Sequence, residues 1–325
     1  MGGRAELIAD RDPAPAELLA DRGMAAQTDD FFRSRAFYDA EGVTHTLRIE
    51  HGGSAIALAL MVREIPGTEL SDGISPYGYP GAAVHGDAGS PVDLCEVDWS
   101  NTGLVSVFVR DRIGGEPCLA RATPRSVVQV HDPSRPRSLR QRFGEQVRHN
   151  RKLGHRVEAL RGPETSVEQR ASFHAAYTET MRRAEAAERY YFEPGYFRII
   201  LGYERSWLLL GRSPEGATAA GGIVALSDGI LHYYLGGTAE AHLGDSPFKN
   251  VVEAMIELAD KLDVILNLGG GLGRGDGLED FKRGFANREL PFNTHEIVCD
   301  PGAYERLSEG RTDTGFFPVY RAASS

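Results

Sequence analysis

The chain has 325 residues, of which 41% are hydrophobic and 25% are charged, and its formal net charge is −10. These values are typical of a globular protein that is large enough for two domains and a sizeable core. The net negative charge disfavours bulk, non-specific nucleic-acid binding, because such binding requires many phosphate contacts. The sequence contains no apolar run of roughly 18 residues, so we expect no membrane span. We also expect no secretory signal at the N-terminus and therefore a cytoplasmic location.

Three cysteines, Cys95, Cys118 and Cys299, are scattered along the chain. Their spacing is neither that of a disulfide scaffold nor that of a zinc site. The ten histidines also lack paired ligand spacing. We therefore expect no metal.

The first part of the chain indicates a lead-in followed by strands. Residues 1–30, with Pro13 and Pro15 as breakers, predict a flexible or loosely helical segment. Alternation of apolar residues predicts strands at 44–50, 54–64, 105–110 and 126–130.

Between these strands, Gly and Pro alternate around Tyr77 and Tyr79 in residues 73–81, which is typical of a loop. Ordered aromatic residues in such loops often line a pocket, so both tyrosines are candidate substrate-binding residues. The alternative is that they cover a sheet edge.

The second part of the chain alternates helical and strand patterns. Ser246 and Pro247 are expected to be the N-cap and the first residue of one helix. The order of elements predicts an α/β fold with mixed sheets. The predicted helices are 138–153, 167–187, 197–204, 247–262 and 278–285, and the predicted strands are 207–212, 218–227, 230–236, 264–268 and 294–298.

A basic cluster lies between residues 135 and 161, where only Glu145 and Glu158 oppose nine cations. Such a cluster can bind phosphates locally even on an acidic protein, and the alternative is a solvated helix face. Arg148 and Arg151 are the candidate binding residues within it. The nine cations are Arg135, Arg137, Arg140, Arg142, Arg148, Arg151, Lys152, Arg156 and Arg161.

The most informative stretch is a glycine-rich run after a predicted buried strand, with six glycines in residues 269–277. Glycine permits close approach to the backbone, so Gly270 and Gly271 are candidate substrate-binding residues. Phe281-Lys282 follows, and a cation there can stabilise developing negative charge on a reacting group. The alternative is a surface turn with an exposed lysine.

Five segments between roughly residues 135 and 300 share their order and spacing with a known family. They are Arg148-His149-Asn150-Arg151-Lys152, Leu235-Gly236-Gly237-Thr238, Ser246-Pro247-Phe248, Leu268-Gly269-Gly270-Gly271 and Phe281-Lys282-Arg283-Gly284-Phe285. Together they resemble the Fem-type branch of the GNAT acyltransferase superfamily. The resemblance implies two GNAT-like domains, each with a mixed, mostly antiparallel sheet flanked by helices. The expected division is a lead-in at 1–30, a degenerate GNAT-like domain at 31–133 and a domain carrying the transfer site at 134–325.

The resemblance implies transfer of an aminoacyl group from aminoacyl-tRNA to the free amine of a peptide or peptidyl-nucleoside acceptor. The acceptor would be a peptide antibiotic or a peptidoglycan precursor, and no cofactor is implied. Phe281 would pack on the terminal ribose of the tRNA, and Lys282 would stabilise the oxyanion and the departing hydroxyl. Because the ester is already activated, positioning and charge stabilisation suffice for this chemistry.

Two further sets of residues follow from this interpretation. Tyr233 and Tyr234 are adjacent on a strand that usually lines the GNAT cleft, so at most one of them faces the substrate, and Tyr233 is kept as a candidate. The base that deprotonates the incoming amine is left open among Asp276, Glu279, Asp280 and His232.

One departure from the family concerns the acceptor. Peptidoglycan-type relatives carry an arginine shortly before a tyrosine pair, whereas this chain has Phe192 before Tyr196-Phe197, and Arg189 is out of register. This disfavours an acceptor linked to a nucleotide diphosphate and favours a peptide in antibiotic biosynthesis. Tyr196 remains a candidate substrate-binding residue.

Two other functions compete with this interpretation. An acyl-CoA-dependent N-acyltransferase would carry a compact glycine loop for the pyrophosphate at a helix start, and residues 236–244 lack its arginine or glutamine in register. A non-catalytic module on the same fold is disfavoured by Lys282 within its motif.

Overall fold

The computed structural model describes residues 3–9, 30–51, 54–85, 91–114, 119–271 and 275–322. The predicted lead-in over 10–29, Cys118 and the loop residues Leu272, Gly273 and Arg274 lie outside these ranges. The chain forms two compact units. Unit 1 comprises residues 1–28, 32–125 and 291–325, and unit 2 comprises residues 29–31 and 126–290.

In its described residues, unit 1 contains a mixed sheet with two short helices. Its strand order is β6-β1-β2-β3-β4-β7-β14, and β5 pairs with β3. The pairs β1–β2, β2–β3, β3–β4 and β7–β14 are antiparallel, whereas β1–β6 and β4–β7 are parallel. The elements are β1 (Gly3–Ala9), α1 (Arg35–Glu41), β2 (His45–His51), β3 (Ser54–Glu64), β4 (Ser71–Ile74), β5 (Ala83–His85), β6 (Val97–Asp98), β7 (Leu104–Arg110), β14 (Arg288–Val298) and α7 (Pro301–Ser308).

The start of the chain differs from the predicted flexible lead-in, because β1 pairs with β2 from Arg4–Glu50 to Ala9–His45. Ala5 is fully buried in the core of unit 1 together with Leu47 and Ile49. Tertiary pairing with β2 therefore orders a segment whose local pattern indicates no strand.

Within unit 2, the strand order is β8-β13-β12-β11-β10-β9. All neighbours are antiparallel except β12 and β13, which are parallel. The elements are β8 (Thr123–His131, which begins in unit 1), α2 (Gln141–Lys152), β9 (Arg156–Arg161), α3 (Val167–Arg183), α4 (Pro194–Leu201), β10 (Ser206–Arg212), β11 (Thr218–Ser227), β12 (Ile230–Thr238), α5 (Phe248–Leu262), β13 (Ile265–Gly269) and α6 (Gly277–Arg283).

The residues just before two helices of unit 2 determine where each helix begins. Ser166 caps α3 with a reciprocal capping box that includes Gln169. The prediction for α5 was wrong by one position, because Pro247 is the N-cap and the helix begins at Phe248. Ser246 lies in the left-handed region with φ of 49°, where it ends a 3₁₀ segment at Glu240–Asp245.

The main core of unit 2 lies where α5 packs on the sheet. Val251, Met255 and Ala259 are fully buried and recur along one face of α5 at helical spacing. They contact strands of the sheet through residues such as Leu209 and Val224. Because α5 packs on the sheet in this way, its first residues lie beside the C-terminal half of β12.

Two features of β12 open the sheet on one side. It pairs with β13 only from Ile230 to His232, although β12 continues to Thr238. Its pairing with β11 shifts register between Ile223 and Val224, opposite Tyr234. Such bulges re-aim side chains. The second half of β12 thus separates from β13 and leaves a cleft between the two strands.

The predicted α/β fold with mixed sheets flanked by helices is confirmed. The division between the units differs from the expected one, because residues 291–325 belong to unit 1. The reason is that β14 pairs antiparallel with β7, from Thr294–Arg110 to Val298–Ser106. Among the helices that the structure describes, none has the length and hydrophobicity that crossing a bilayer requires.

Candidate active site

A cavity of about 720 Å³ lies in unit 2, at the cleft beside the second half of β12. Its volume is within the usual range for a small-molecule or cofactor site. Residues from α2, α3, β12, α5, β13 and α6 and from the segment before α5 line it: Arg142, Phe143, Gln146, Thr180, Tyr233, Gly236, Gly237, Thr238, Leu243, Ser246, Phe248, Lys249, Val252, Leu268, Gly277, Leu278, Asp280, Phe281, Lys282 and Phe285.

Lys282 lies in the cavity wall, on α6, and is held from two sides. Its Nζ donates a hydrogen bond of 2.7 Å to the carbonyl oxygen of Gly270 and lies 5.7 Å from the ring centroid of Tyr233. Burial lowers the pKa of Lys282 to about 8, against a smaller opposing effect of Asp276. The ammonium is therefore fixed in position and can lose its charge near neutral pH.

Phe281 belongs to an aromatic cluster that forms the apolar side of the cavity. Its ring centroid lies 5.4 Å from Phe285, 5.5 Å from Phe143 and 6.2 Å from Phe248. These contacts between α2, α5 and α6 make Phe281 part of the core as well as of the lining. The structure thus brings the predicted pair Phe281 and Lys282 together at one cavity.

The adjacent tyrosines of β12 face different surroundings. Tyr233 lines the cavity and packs at 5.7 Å against Phe248, whereas Tyr234 is buried and packs against Phe31. Tyr196 does not line this cavity, because its hydroxyl is hydrogen-bonded to that of Tyr234 and its ring stacks on Phe192 at 3.9 Å. Tyr196 has a packing role here.

Of the described glycines in the predicted loop, Gly277 lines the cavity, whereas Gly269, Gly270 and Gly271 do not. Gly269 has φ of +80°, a conformation that favours glycine. A Cβ on Gly270 would lie 2.9 Å from the carbonyl oxygen of Val127, and one on Gly271 would lie 2.4 Å from the carboxylate of Asp276. Gly270 reaches the site through its carbonyl oxygen, which accepts the bond from Lys282.

Two other glycines, which lie on β12, line the cavity. A Cβ on Gly237 would lie 2.6 Å from the carbonyl oxygen of Ala176, and one on Gly236 would lie 2.8 Å from the ring of Phe248. Their small size allows α3 and α5 to approach the strand closely. They belong to a segment that carries the family resemblance, but the sequence did not single them out as site residues.

A buried polar chain supports the turn that holds Lys282. His232 is 2% exposed, and its Nε2 lies 3.3 Å from the carbonyl oxygen of Ser227. Its Nδ1 lies 3.1 Å from Nδ2 of Asn267, which is fully buried. The Oδ1 of Asn267 accepts a hydrogen bond of 2.8 Å from the backbone N–H of Gly269. Both ring nitrogens of His232 are engaged, so this residue is structural.

The acidic candidates for the base are engaged in contacts within unit 2. Asp276 is the N-cap of α6 and accepts from the N–H of Glu279, while Glu279 accepts from the N–H of Gly275. Asp280 lines the cavity and forms a bidentate pair with Arg140 at 2.7 and 2.8 Å. These bonds to Arg140 lower the pKa of Asp280. Asp280 is therefore a poor proton acceptor.

The basic cluster is mostly neutralised by acidic partners. Arg151, a candidate binding residue, pairs with Glu257 at 2.8 Å, and Arg148 is exposed on α2 outside the cavity lining. The other ion pairs are Arg135–Asp132, Arg137–Glu253, Arg140–Asp280, Arg156–Glu158 and Arg161–Glu204. Most of the cluster therefore has a structural role.

Two cations that sequence reasoning missed do line the cavity, Arg142 and Lys249. Both lie over the ring of Phe143, at 5.5 Å and 5.2 Å from its centroid. Burial, and then the charge of Arg142, lowers the pKa of Lys249. Arg142 was one of nine cations in a run, and Lys249 stood alone, so no sequence signal separated them from surface residues.

The predicted candidates Tyr77 and Tyr79 belong to unit 1 and do not line this cavity. Tyr77 is 43% exposed, and its backbone N–H donates to the carboxylate of Glu41. Tyr79 packs edge-on against Phe32 and Phe292. Tyr79 thus fits the alternative expectation that these aromatic residues cover part of the sheet.

Three backbone N–H groups around the start of α5 are engaged within the chain. The N–H groups of Ser246, Lys249 and Asn250 bond to the carbonyl oxygens of Leu243, Ser246 and Pro247, at 3.0 to 3.2 Å. These N–H groups are therefore not directed at a bound anion. In the described part of the chain, no group of three or more His, Cys, Asp or Glu residues is arranged to hold a metal ion.

Comparison with known proteins supports the fold. No protein-family model matches the sequence, and no curated protein matches it. The structure of FemX is similar with a TM-score of 0.59 and 12% identity, covering 84% of this chain and 93% of that chain. L-PGS from Bacillus licheniformis is similar with a TM-score of 0.57 and 12% identity, covering 89% and 92%. These similarities show a shared fold.

Proposed function

We propose that the protein transfers an aminoacyl group from aminoacyl-tRNA to the amine of a peptide acceptor. The observation that carries the proposal is the position of Lys282, whose ammonium is fixed by Gly270 in the wall of a 720 Å³ cavity. The resemblance of Phe281-Lys282 and its neighbouring segments to Fem-type enzymes supports this function, and the fold shared with FemX agrees with it.

The proposed reaction needs a positive charge and a positioned ester. The neutral amine attacks the ester carbonyl, the carbonyl oxygen becomes an oxyanion, and the bond to the tRNA ribose oxygen then breaks. An amide forms, its nitrogen loses one proton to solvent, and the departing ribose oxygen takes up one proton from solvent to become a hydroxyl. Lys282 stabilises the oxyanion, which contributes roughly 3 kcal/mol or about a hundredfold in rate.

The residues that line the site fit these roles. Phe281 and the neighbouring rings of Phe143 and Phe248 form an apolar wall that excludes water and strengthens the electrostatic effect of Lys282. The edge of β12 beyond His232 has no pairing with β13, so its backbone borders the cavity. A bound acyl group can lie along this edge.

The acyl-CoA alternative receives no specific support from the geometry. At the start of α5, the N–H groups of Lys249 and Asn250 bond to preceding carbonyl oxygens, so these two are not available to a pyrophosphate. We therefore keep aminoacyl-tRNA as the proposed donor.

The test is incubation of the purified protein with tRNAs charged with radiolabelled amino acids and a set of short peptides with free amino ends. We expect label to move from RNA into amide-linked product. The matched control is the Lys282→Ala variant, which should transfer about a hundredfold more slowly. Consumption of an acyl-CoA thioester, with no use of any charged tRNA, would overturn the proposal.

A further inference from the structure

The cations around the cavity differ in whether an acidic residue neutralises them. Arg140 has its charge matched by the bidentate contact with Asp280. Arg142 and Lys249 make no ion-pair contact within the described residues, although the charge of Asp280 also acts on Arg142, and both cations line the cavity. Arg142 is exposed and Lys249 is partly buried, so the pair stands where the cavity meets solvent.

The two cations lie close enough to oppose each other. Their charged groups lie 5.5 and 5.2 Å from the centroid of the same ring, that of Phe143, and the charge of Arg142 adds to burial in lowering the pKa of Lys249. Arg140 lies over the same ring at 5.0 Å, and its pairing with Asp280 offsets one of the three positive charges, so repulsion between the cations remains. A bound anion removes that repulsion and gains two charge-assisted hydrogen bonds.

We propose that Arg142 and Lys249 together bind one phosphate group of the nucleotide carrier that delivers the acyl group. The two side chains are the main donors of this site, because the N–H groups of Lys249 and Asn250 already bond to the carbonyl oxygens of Ser246 and Pro247. The ligand chemistry is a phosphate ester of a nucleotide. Its identification with the 3′ end of a tRNA rests on the proposed function, whereas the phosphate site itself is common to an RNA carrier and a CoA carrier.

The exposed rim around the pair fits a ligand that extends out of the cavity. Leu243 and Leu278 also line the cavity and are 40% and 42% exposed. A carrier that continues beyond the cavity would cover them. The exposed Arg148 lies farther along α2 and does not line the cavity, so Arg142 replaces it as the expected phosphate contact.

The experiment compares two double variants that remove the same charge from the same two helices. The cavity variant is Arg142→Gln with Lys249→Gln, at the starts of α2 and α5. The control variant is Lys152→Gln with Lys261→Gln, two exposed lysines near the ends of these helices. Binding of a fluorescently labelled RNA ending in C-C-A is measured by anisotropy over a series of salt concentrations. Binding of CoA is measured by calorimetry.

We expect the cavity variant to bind the RNA at least tenfold more weakly than the control variant. The slope of the logarithm of the association constant against the logarithm of the salt concentration should decrease in magnitude by about 0.7. This is the contribution of one phosphate contact to that slope in single-stranded nucleic acid. Equal binding by the two variants, or no binding of either ligand by the unmodified protein, would overturn the site.

The RNA and CoA measurements also distinguish a failure of the phosphate site from a failure of the proposed function. If CoA binds through the pair and RNA does not, the phosphate site stands and the tRNA donor is wrong. If charged tRNA is used normally by the cavity variant, the tRNA donor stands and the site is wrong.

A further control is the single variant Lys249→Arg, which keeps the positive charge. It should bind the RNA about as well as the unmodified protein, and this result would show that the loss in the cavity variant does not arise from misfolding.

Discussion

The charge on Lys282 should reduce the stability of the protein at neutral pH. Its pKa is about 8 in the folded protein and 10.5 for an ordinary lysine, a difference that corresponds to roughly 3 kcal/mol. Replacement by methionine, Lys282→Met, removes the buried charge and retains an unbranched side chain. It also removes the hydrogen bond to Gly270, which contributes about 1 kcal/mol. We therefore expect Lys282→Met to raise the free energy of unfolding by about 2 kcal/mol at pH 7.

The pH dependence of this difference follows from the depressed pKa. Below pH 8, Lys282 is charged in both the folded and the unfolded protein, so the cost of its burial is fully present. Between about pH 8 and 10.5 the folded protein loses the proton first, and the cost disappears. The stability advantage of Lys282→Met should thus be largest at pH 7 and should shrink as the pH rises above 8.

Urea unfolding followed by circular dichroism at pH 7, 8 and 9.5 measures this difference. The matched control is Lys261→Met, which removes an exposed lysine from the last turn of α5 and should change stability by only a few tenths of a kcal/mol. A Lys282→Met variant that is less stable than the unmodified protein at pH 7, or a difference that is the same at all three pH values, would refute the reasoning.

The remaining predictions concern catalysis and packing. Transfer by the unmodified protein should fall as the pH rises above about 8, because Lys282 loses its charge, and Lys282→Arg should not show this fall in a rate measurement against pH. Asn267→Ala should lower kcat more than it raises KM, because it removes the hydrogen bond that Oδ1 accepts from the N–H of Gly269 in the turn before Gly270. An unchanged kcat would exclude this positioning role. Gly237→Ala should destabilise the protein by roughly 1–3 kcal/mol in urea unfolding, because its Cβ would meet the backbone of α3, whereas Gly195→Ala, whose Cβ meets nothing within 4 Å, should be neutral or slightly stabilising.

Local pattern in the sequence was sufficient for most of unit 2. The strand predicted at 218–227 is β11 itself, and the helix predicted at 138–153 contains α2. The segment of β11 is a continuous apolar run that suits a strand buried on both faces, and α2 carries Phe143 and Val147 at helical spacing, so local preference and tertiary environment agree. The same agreement placed Phe281 and Lys282 on a short helix after the glycine run, where the structure has α6.

The identity of the charged and aromatic side chains that share the cavity depends on contacts between distant segments. Arg142 and Arg151 look alike in the basic run, yet one lines the cavity and the other pairs with Glu257. Likewise, Tyr196 was as plausible a binding residue as Tyr233 until its hydroxyl was seen to bond to Tyr234. A residue type determines which contacts are chemically possible, whereas the packing of distant segments determines which of them form. The sequence by itself therefore determined the fold class and the position of Lys282 after the glycine run, and the fold selected its neighbours.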